Sequence, residues 1–295
     1  MGNARAEQQR QTLTELRTKV QRGERLVMVT AYDCGGGRLA DEADVDLVLV
    51  GDSAAMTVLG LDSTVPITLD ELIVLAGAAR RGAQRPLVIC DMPFGSYEVS
   101  DAEAVRNAIR IVKETGVDMV KLEGASSTVQ RVQAIVSAGV AVCGHIGLVP
   151  QSAVLLGGYR TQGRTAQRAL ELIDEALALE AAGASMIVLE AVPSPVAARI
   201  TEALTIPTIG IGAGPSCDGQ VLVYHDLLGL SEGHRPRFVK QYADVGAQTR
   251  SALARFADDV RSGAYPSSEH EYAMPQEELA LFEDRLDPRA SRSPT

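Results

Sequence analysis

The sequence predicts an α/β protein whose eight strands close into a (β/α)₈ TIM barrel. Eight short apolar runs alternate with helix-period segments from residue 26 almost to the end of the chain. Most of the runs are rich in Val, Ile and Leu without strict alternation, which is typical of parallel strands covered on both faces. A series of eight strand–helix units, joined by right-handed crossovers, favours closure of the sheet into a barrel.

The predicted strands and helices follow one another in a regular order. The strands cover residues 26–33, 45–52, 86–94, 118–124, 140–148, 185–192, 205–214 and 219–230. The helices cover residues 37–45, 69–82, 102–116, 127–139, 166–183 and 194–204, and a long amphipathic helix covers 238–263. A doubly wound open sheet is the structural alternative, but it usually has fewer strands and a Gly-rich first turn. No GxGxxG sequence follows the first strand, which favours the barrel.

Capping residues support the helix boundaries. The predicted N-caps are Thr68, Ser100, the group 126–128 and Thr165. The predicted C-terminal stops are Gly82, Gly116, Gly139 and Gly183, each at a point where the next strand must begin.

We divide the chain into three regions. Residues 1–24 form an N-terminal region whose helix, over 12–23, caps the bottom of the barrel. Residues 25–265 form the barrel, which is the catalytic domain. Residues 266–295 form a polar, Pro-rich and loosely ordered tail with one short helix over 277–286.

Two connections are longer than ordinary βα loops. Residues 53–68 follow the second strand, and residues 149–164 follow the fifth. Because such loops rise over the C-terminal face of a barrel, we expect both to border the active site.

Composition argues against several classes of protein. The chain has 28 Lys plus Arg residues against 38 Asp plus Glu residues, so its formal net charge of −10 disfavours binding to nucleic acid or anionic lipid. The N-terminus lacks the apolar stretch of a signal peptide, and no run of about 18 apolar residues predicts a membrane span. The four cysteines, Cys34, Cys90, Cys143 and Cys217, form no CxxC pair, so we expect reduced thiols in a cytoplasmic protein.

Ionisable residues fall at the ends of the predicted strands. Each lies in or directly after a mainly apolar run; they are Asp52, Asp91, Lys121, Glu123, His145 and Glu190. Buried charges are costly unless they are paired or bound to metal. Because the carboxyl ends of barrel strands converge on one cavity, the sequence predicts a single site there.

The residue types narrow the chemistry of this site. Several carboxylates, without a thiolate or a His pair in ligand spacing, favour Mg²⁺ over zinc. A 2-oxo acid could chelate the ion, which would polarise the carbonyl and stabilise an enolate. Lys121 would add positive charge beside the oxyanion. Glu190, flanked by apolar residues, is the candidate base that removes the proton next to the carbonyl.

Each residue also has a purely structural interpretation. Asp52 or Asp91 alone could be an N-cap, and His145 alone could be a hydrogen-bonded core histidine. Lys121 could pair with a neighbouring carboxylate. The GIGAG sequence at 210–214 is compatible with a phosphate cradle or with tight packing of a Gly-rich strand end. Convergence of the whole set on one cavity favours a functional site.

Taken in order, the motifs closely resemble those of the ketopantoate hydroxymethyltransferase family. They are VTAYD at 29–33, RLADEA at 38–43, VGDS at 50–53, LDSTVPITLDE at 61–71, DMPFGSY at 91–97, VKLEG at 120–124, GHIGLVPQS at 144–152, GGYRTQGR at 157–164, VLEAVP at 188–193, PTIGIGAGPSCDGQVLVYHDLLGL at 207–230 and FVKQYADVG at 238–246. The resemblance is collinear over roughly residues 10 to 265, and eleven ordered segments make it specific.

The resemblance implies a barrel of the phosphoenolpyruvate mutase/isocitrate lyase type and a metal-dependent transferase of pantothenate biosynthesis. It implies transfer of a one-carbon unit from 5,10-methylenetetrahydrofolate to C3 of 3-methyl-2-oxobutanoate, giving 2-dehydropantoate and tetrahydrofolate. It also implies a homo-oligomer, commonly a decamer. The implied metal-site positions are Asp52, Asp91 and Glu123. The implied substrate-pocket residues are Asp52, Ser53, Asp91, Lys121 and His145. Glu190 is the implied proton acceptor.

Two departures from the family pattern lie next to these motifs. Residues 35–37 are three consecutive glycines, which we expect to loosen the start of the first helix. Ala54 and Ala55 stand where Leu and Gly are customary. If that Gly takes a positive φ or admits a ligand closely, Ala55 would strain or narrow the loop.

Two other functions are compatible with the sequence. A carbon–carbon lyase or aldolase of the same superfamily, or a specialised paralogue, would use the same Mg²⁺–enolate chemistry on another 2-oxo acid. A non-catalytic barrel that serves as a scaffold or metabolite sensor would be expected to lose Glu190 or the carboxylates, and all are present.

Overall fold

The protein folds as a closed barrel of eight parallel strands in chain order. A computed structural model describes residues 10–154, 157–231, 233 and 236–286. The strands are β1 (Leu26–Thr30), β2 (Leu47–Val50), β3 (Leu87–Asp91), β4 (Met119–Glu123), β5 (Ala141–Gly147), β6 (Met186–Glu190), β7 (Thr208–Ile211) and β8 (Gly219–Leu222). Each predicted apolar run contains one of these strands, and β8 pairs with β1 to close the sheet. The predicted (β/α)₈ fold is confirmed.

Helices cover most of the connections. They are α1 (Leu13–Gln21), α2 (Cys34–Glu42), α3 (Ala54–Thr57), α4 (Leu69–Gly82), α5 (Asp101–Thr115), α6 (Thr128–Ser137), α7 (Ala166–Ala181), α8 (Ser194–Ala203), α9 (Tyr224–Leu228), α10 (Val245–Ser262) and α11 (Gln276–Leu286). Residues 212–218, all of them described, join β7 to β8 without a helix, so the seventh unit departs from the expected repeat. The sequence predicted a helix over 238–263, but the predicted start of this helix was wrong. The carboxylate of Asp244 accepts from the N–H of Ala247 and caps a helix that begins only at Val245.

Side-chain caps explain most helix starts. Three of the predicted N-caps accept a hydrogen bond from the first turn of their helix: Thr68, Ser100 and Thr165. In the group 126–128, Ser127 is the N-cap residue of α6, as predicted, but its side chain makes no capping hydrogen bond. The hydroxyl of Thr128 donates instead to the carbonyl oxygen of Glu123 at 3.1 Å, so it ties α6 back to β4.

Glycines allow α2 and α4 to approach closely. A Cβ at Gly37 would lie 2.3 Å from the carbonyl oxygen of Ala79, and one at Gly82 would lie 2.1 Å from the carbonyl oxygen of Cys34. Gly82 is therefore the last residue of a packed helix and not the predicted stop signal. The glycines at 35–37 lie in a regular helix, so the expected loosening of its start is not seen.

The interior of the barrel is filled by large side chains beneath the carboxyl ends of the strands. One cluster combines inward residues of the strands with Leu16 of α1, and Leu16 is fully buried. The Nζ of Lys19 lies 2.5 Å from Oδ1 of Asp46, just before β2, and the N–H of Gln11 donates to the carbonyl of Arg85, just before β3. These contacts place α1 across the amino-terminal end of the barrel.

The chain divides into two compact units. One extends to Ala243 and contains the barrel, and the other begins at Asp244 and contains α10 and α11. The second unit therefore includes α10, whereas the sequence analysis placed the end of the barrel domain at residue 265. The α11 helix at Gln276–Leu286 matches the short helix expected in the tail, whose last residues, 287–295, lie outside the described part of the chain.

Two further observations concern membrane-spanning helices and the cysteines. Within the described residues, no helix has both the length and the apolar character needed to cross a membrane. All four cysteines are free thiols, three of them buried and Cys34 exposed.

Asp41, near the end of α2, links this helix by hydrogen bonds to the segment that precedes β3. Its Oδ2 accepts hydrogen bonds from the backbone N–H groups of Gln84 (2.7 Å) and Arg85 (3.1 Å), and its Oδ1 accepts from Nε of Arg85 at 2.8 Å. Burial raises the pKa of Asp41, but these hydrogen bonds and the guanidinium outweigh burial and lower it. A carboxyl whose pKa is lowered by folding stabilises the native state above its unfolded pKa of about 3.9, and this contribution is lost as the pH falls.

We therefore predict that Asp41→Asn lowers the free energy of unfolding by about 1–3 kcal/mol at pH 7, because an amide cannot accept all three hydrogen bonds. Urea unfolding at pH 7 and at about pH 3 measures the effect, which should shrink at the lower pH. Asp62→Asn, at an exposed loop position, is the matched control. Equal losses at both pH values would contradict the assigned role.

Candidate active site

Ionisable side chains occupy the carboxyl ends of four consecutive strands. Asp91 ends β3, Lys121 and Glu123 lie in β4, His145 lies in β5 and Glu190 ends β6. Lys121 and Glu123 are two residues apart, so they share one face of their strand. Parallel register places Asp91 beside Lys121 and Glu123 beside His145. The predicted convergence of these residues is observed.

The ammonium group of Lys121 lies at the centre of this cluster. Its Nζ is 3.1 Å from Oδ1 of Asp91, 3.3 Å from Oε1 of Glu123 and 3.0 Å from Nδ1 of His145. All four side chains are buried. Burial by itself lowers the pKa of Lys121, but the nearby carboxylates of Asp91 and Glu123 outweigh burial and raise it well above its usual value. Lys121 is therefore a fully charged ammonium ion held inside the barrel.

Asp52 and Ser53 reach the cluster from the loop after β2. The backbone N–H of Asp52 donates to Oδ2 of Asp91 at 2.9 Å, which joins the two carboxylates through the main chain. The hydroxyl of Ser53 lies 2.9 Å from the hydroxyl of Tyr32, at the end of β1. The long loop at 53–68 thus borders the site, as the sequence predicted.

Negative charge is in excess around Lys121. Burial, followed by the charges of Glu123 and Asp91, raises the pKa of Asp52 well above its usual value. Burial likewise raises the pKa of Asp91, although Lys121 opposes it. Glu123 differs, because the charges of Lys121 and His145 outweigh burial and lower its pKa to about 2. Lys121 and His145 therefore compensate the charge of Glu123, whereas burial dominates at Asp52 and Asp91.

His145 connects this cluster to Glu190. Its Nδ1 lies 3.2 Å from Oε1 of Glu123, and its Nε2 lies 3.2 Å from Oε2 of Glu190. Burial and the charge of Lys121 lower the pKa of His145, but the two carboxylates outweigh them and raise it to about 9. The sequence suggested apolar surroundings for Glu190, whereas its contact in the site is this imidazole. The Glu190 side chain is 17% exposed, so it faces the opening of the site.

The main chain around Glu190 is tightly constrained. A Cβ at Gly147 would lie 2.3 Å from the carbonyl oxygen of Glu190, and the N–H of Leu148 donates to that oxygen at 2.8 Å. Ala191 follows with a left-handed φ of 49°, held by a hydrogen bond from its N–H to the carbonyl of Ile211. Such a conformation costs a non-glycine residue on the order of 1 kcal/mol, so the surrounding strands fix the direction of Glu190.

The donor set is compatible with a hard cation, but not with three direct protein ligands. Within the described residues, no group of three or more His, Cys, Asp or Glu side chains is arranged to hold one ion. Both oxygens of Glu123 are engaged: Oε1 contacts Lys121 and His145, and Oε2 accepts from the N–H of Gln151. Oδ1 of Asp91 lies 3.1 Å from Nζ of Lys121, and its Oδ2 accepts from the N–H of Asp52. The metal-site roles that the resemblance implies for Asp52, Asp91 and Glu123 stay predictions.

Two residues that the sequence did not single out complete the site. The side-chain amide of Gln151 donates to Oδ2 of Asp52 at 2.9 Å, and the hydroxyl of Tyr97 donates to Oε1 of Gln151 at 2.5 Å. The unusual length of the loop at 149–164 was the available signal for Gln151. Tyr97 ends the DMPFGSY segment, where its aromatic ring could equally have belonged to the core.

The GIGAG segment and His225 pack against neighbouring side chains. A Cβ at Gly212 would lie 2.6 Å from the ring of Phe238, and one at Gly214 would lie 2.4 Å from the hydroxyl of Ser194. Tight packing therefore accounts for GIGAG better than a phosphate cradle does. The ring of His225 packs against that of Tyr32 at 5.5 Å between centroids.

Comparison with known proteins identifies the family of the chain. The family model described as ketopantoate hydroxymethyltransferase matches residues 10–268, which is most of the chain. The chain belongs to this family. It is therefore an enzyme of the transferase class, as the motifs indicated.

Relatives of this ketopantoate hydroxymethyltransferase family member span nearly its whole length. A 3-methyl-2-oxobutanoate hydroxymethyltransferase of Moorella thermoacetica is 53% identical over 267 residues, covering 90% of this chain and 99% of the relative. A mitochondrial 3-methyl-2-oxobutanoate hydroxymethyltransferase of Arabidopsis thaliana is 50% identical over 281 residues, covering 93% and 81%.

Solved structures share the fold at much lower identity. Phosphoenolpyruvate phosphomutase from Streptomyces platensis has a TM-score of 0.57 at 15% identity, covering 95% of this chain and 99% of that chain. A 2,3-dimethylmalate lyase, a member of the phosphoenolpyruvate mutase/isocitrate lyase superfamily, has a TM-score of 0.55 at 15% identity, covering 93% and 98%. The predicted barrel type is confirmed.

The departure from the family pattern at Ala54 and Ala55 causes no backbone strain. Ala54 and Ala55 are fully buried in α3, and neither has a positive φ. The strain that Ala55 would suffer in a left-handed conformation therefore does not arise.

We predict that Lys121→Met lowers the free energy of unfolding by about 3–5 kcal/mol, because Asp91 and Glu123 would lose their shared counter-charge. Without the ammonium group the two buried carboxyls should titrate above their unfolded pKa values of about 4, so the loss should be larger at pH 8 than at pH 5. Urea unfolding at both pH values measures this. Lys113→Met, at an exposed position of α5, is the control. A loss no larger than that of the control would show that the pairing is unimportant.

Proposed function

We propose that the enzyme transfers a hydroxymethyl group to C3 of 3-methyl-2-oxobutanoate, giving 2-dehydropantoate, a step of pantothenate biosynthesis. The one-carbon donor is 5,10-methylenetetrahydrofolate, which leaves as tetrahydrofolate after water supplies the hydroxyl oxygen. Support comes from the family and from one observation: a charged Lys121 is buried among carboxylates beside the partly exposed Glu190.

Lys121 and Ser53 are suited to hold the 2-oxo acid. An ammonium ion kept charged by Asp91 and Glu123 can attract the substrate carboxylate and the oxygen that gains charge when C3 loses its proton. The half-buried hydroxyl of Ser53 can donate to the same substrate. Since the cluster is buried, little water competes for these contacts, which strengthens them.

Glu190 is suited to remove the C3 proton. Its side chain is exposed enough to meet a substrate, and its main chain is fixed by β5 and β7. Its Oε2 lies 3.2 Å from Nε2 of His145, so the imidazole can orient the carboxylate. Water hydrolyses the donor, so that both C–N bonds of its methylene carbon break and formaldehyde and tetrahydrofolate result. The carbon nucleophile adds to the formaldehyde carbon, the C3–C bond forms, and the formaldehyde oxygen takes up a proton to become the hydroxyl.

Asp52 and Asp91 would hold Mg²⁺, with Glu123 as the third residue of the metal site. The two Asp carboxyls are joined by the hydrogen bond from the N–H of Asp52 to Oδ2 of Asp91, and burial together with the charge of Glu123 raises the pKa of each. When bound, the ion polarises the keto group of the substrate. We further propose that the enzyme acts as a homo-oligomer in the cytoplasm.

The metal assignment predicts that Asp91→Asn lowers Mg²⁺-dependent transferase activity by at least about 100-fold. The amide keeps an oxygen for the N–H of Asp52 but loses the charge that would hold the ion. Activity is measured as 2-dehydropantoate formed from 3-methyl-2-oxobutanoate and methylenetetrahydrofolate across a Mg²⁺ titration. Asp174→Asn, on the exposed face of α7, should behave like the wild type. Normal turnover by Asp91→Asn would refute the assignment.

The base assignment predicts that Glu190→Gln slows exchange of the C3 proton with solvent by about 10²–10⁴-fold while the 2-oxo acid still binds. Proton NMR of 3-methyl-2-oxobutanoate in D₂O, without the folate, measures the exchange, and calorimetry measures the binding. Glu24→Gln is the exposed control. Exchange at the original rate would exclude Glu190 as the base. Exchange by the wild type without any folate-dependent product would point to a lyase or aldolase acting on another 2-oxo acid.

A further inference from the structure

Gln151 occupies an unusual position for a loop residue. It lies in a single 3-10 turn, Pro150–Ser152, in the loop that follows β5. Its side chain is only 6% exposed and crosses the mouth of the barrel towards the ends of β2 and β3. A buried amide needs hydrogen-bond partners for its polar groups, so the partners of Gln151 indicate its role.

The hydrogen bonds of Gln151 allow only one orientation of its amide. Nε2 donates to Oδ2 of Asp52 at 2.9 Å and to the carbonyl oxygen of Met92 at 3.0 Å. The carbonyl oxygen of Met92 can only accept, so exchanging the amide oxygen and nitrogen would place one acceptor against another. Oε1 accepts from the hydroxyl of Tyr97 at 2.5 Å. All the hydrogen-bonding groups of this side chain are thus directed by their surroundings.

Tyr97 fixes the other end of the chain of hydrogen bonds. Its hydroxyl accepts from the backbone N–H of Glu123 at 3.3 Å while it donates to Gln151. Burial, with the nearby charges of Glu123 and Glu98, raises the pKa of Tyr97 far above its usual value, so the hydroxyl remains a donor. A directed series of hydrogen bonds therefore runs from the main chain of β4 through Tyr97 and Gln151 to Asp52.

The main chain of Gln151 makes a second contact with the site. Its N–H donates to Oε2 of Glu123 at 3.0 Å. One residue thus binds Asp52 through its side chain and Glu123 through its backbone. The two carboxylates come from different βα units, and nothing local to either unit sets their separation.

We propose that Gln151, held by Tyr97, is a positioning residue that sets the orientation of Asp52 and its spacing from Glu123. By engaging Oδ2 of Asp52, the amide leaves Oδ1 as the oxygen that can bind a divalent cation. This inference rests on the proposed role of Asp52 in the metal site. It gives the loop after β5 a function in the arrangement of the site.

The test uses two variants that remove the hydrogen bonds and keep most of the volume, Gln151→Met and Tyr97→Phe. Mg²⁺ is titrated calorimetrically into the full-length protein with saturating 3-methyl-2-oxobutanoate and no folate, so no turnover occurs. We expect the Mg²⁺ dissociation constant to rise at least about tenfold in Gln151→Met and in the same direction in Tyr97→Phe. Because both act on Asp52 through one series of bonds, their effects should not multiply in the double variant.

Gln133→Met and Tyr272→Phe, both at exposed positions, are the matched controls and should bind Mg²⁺ like the wild type. Thermal unfolding of each variant separates positioning from stability. A lowered Tm with an unchanged Mg²⁺ dissociation constant would overturn the proposal. If Gln151→Met does not fold, Tyr97→Phe decides by the same criterion.

Asp52→Asn in the same titration separates this proposal from the metal assignment. An unchanged dissociation constant in Asp52→Asn would refute the metal role of Asp52 and the positioning role with it. Weakened binding in Asp52→Asn, together with wild-type binding in Gln151→Met, would refute only the positioning role.

Discussion

The burial of one ammonium ion, that of Lys121, is the constraint on which the site depends. Removing such a charge from water costs several kcal/mol unless opposite charges surround it. Asp91 and Glu123 supply them, one from the neighbouring strand and one from the same strand. The arrangement requires β3, β4 and β5 to keep their parallel register, because a slip of one residue would turn these side chains out of the barrel.

The rest of the barrel supports this register. Large apolar side chains fill the interior beneath the charged layer, and α1 covers its amino-terminal end through Leu16. On the outside, the glycines of α2 and α4 let two helices approach within the distance that a side chain would occupy. The strands thus carry most of the charged groups, and loops add Asp52 and Gln151. Both sets lie at the carboxyl-terminal face, where barrel active sites form.

The excess of negative charge links structure to activity. Burial, with the charge of Glu123, raises the pKa values of Asp52 and Asp91, although Lys121 opposes it. The proposed divalent cation and the anionic substrate would both meet this cluster. Proteins that share the barrel at about 15% identity include a mutase and a lyase, so the fold alone does not select the reaction. The particular side chains at the strand ends do so.

The sequence alone was sufficient to predict the eight strands and their parallel order, because both depend on the apolar runs. It also predicted the convergence of one set of side chains, because each stands near the end of a run: Asp91, Lys121, Glu123, His145 and Glu190. The start of α10, the packing role of Gly82, and the connection from β7 to β8 were not predicted correctly, since each depends on a local cap or a contact between distant segments. Only the tertiary structure brought Gln151 to Asp52 and Tyr97 to Glu123, and occupied both oxygens of Glu123. The physical reason is that hydrogen bonds between residues distant in the chain depend on geometry, which leaves no periodic signal in the sequence.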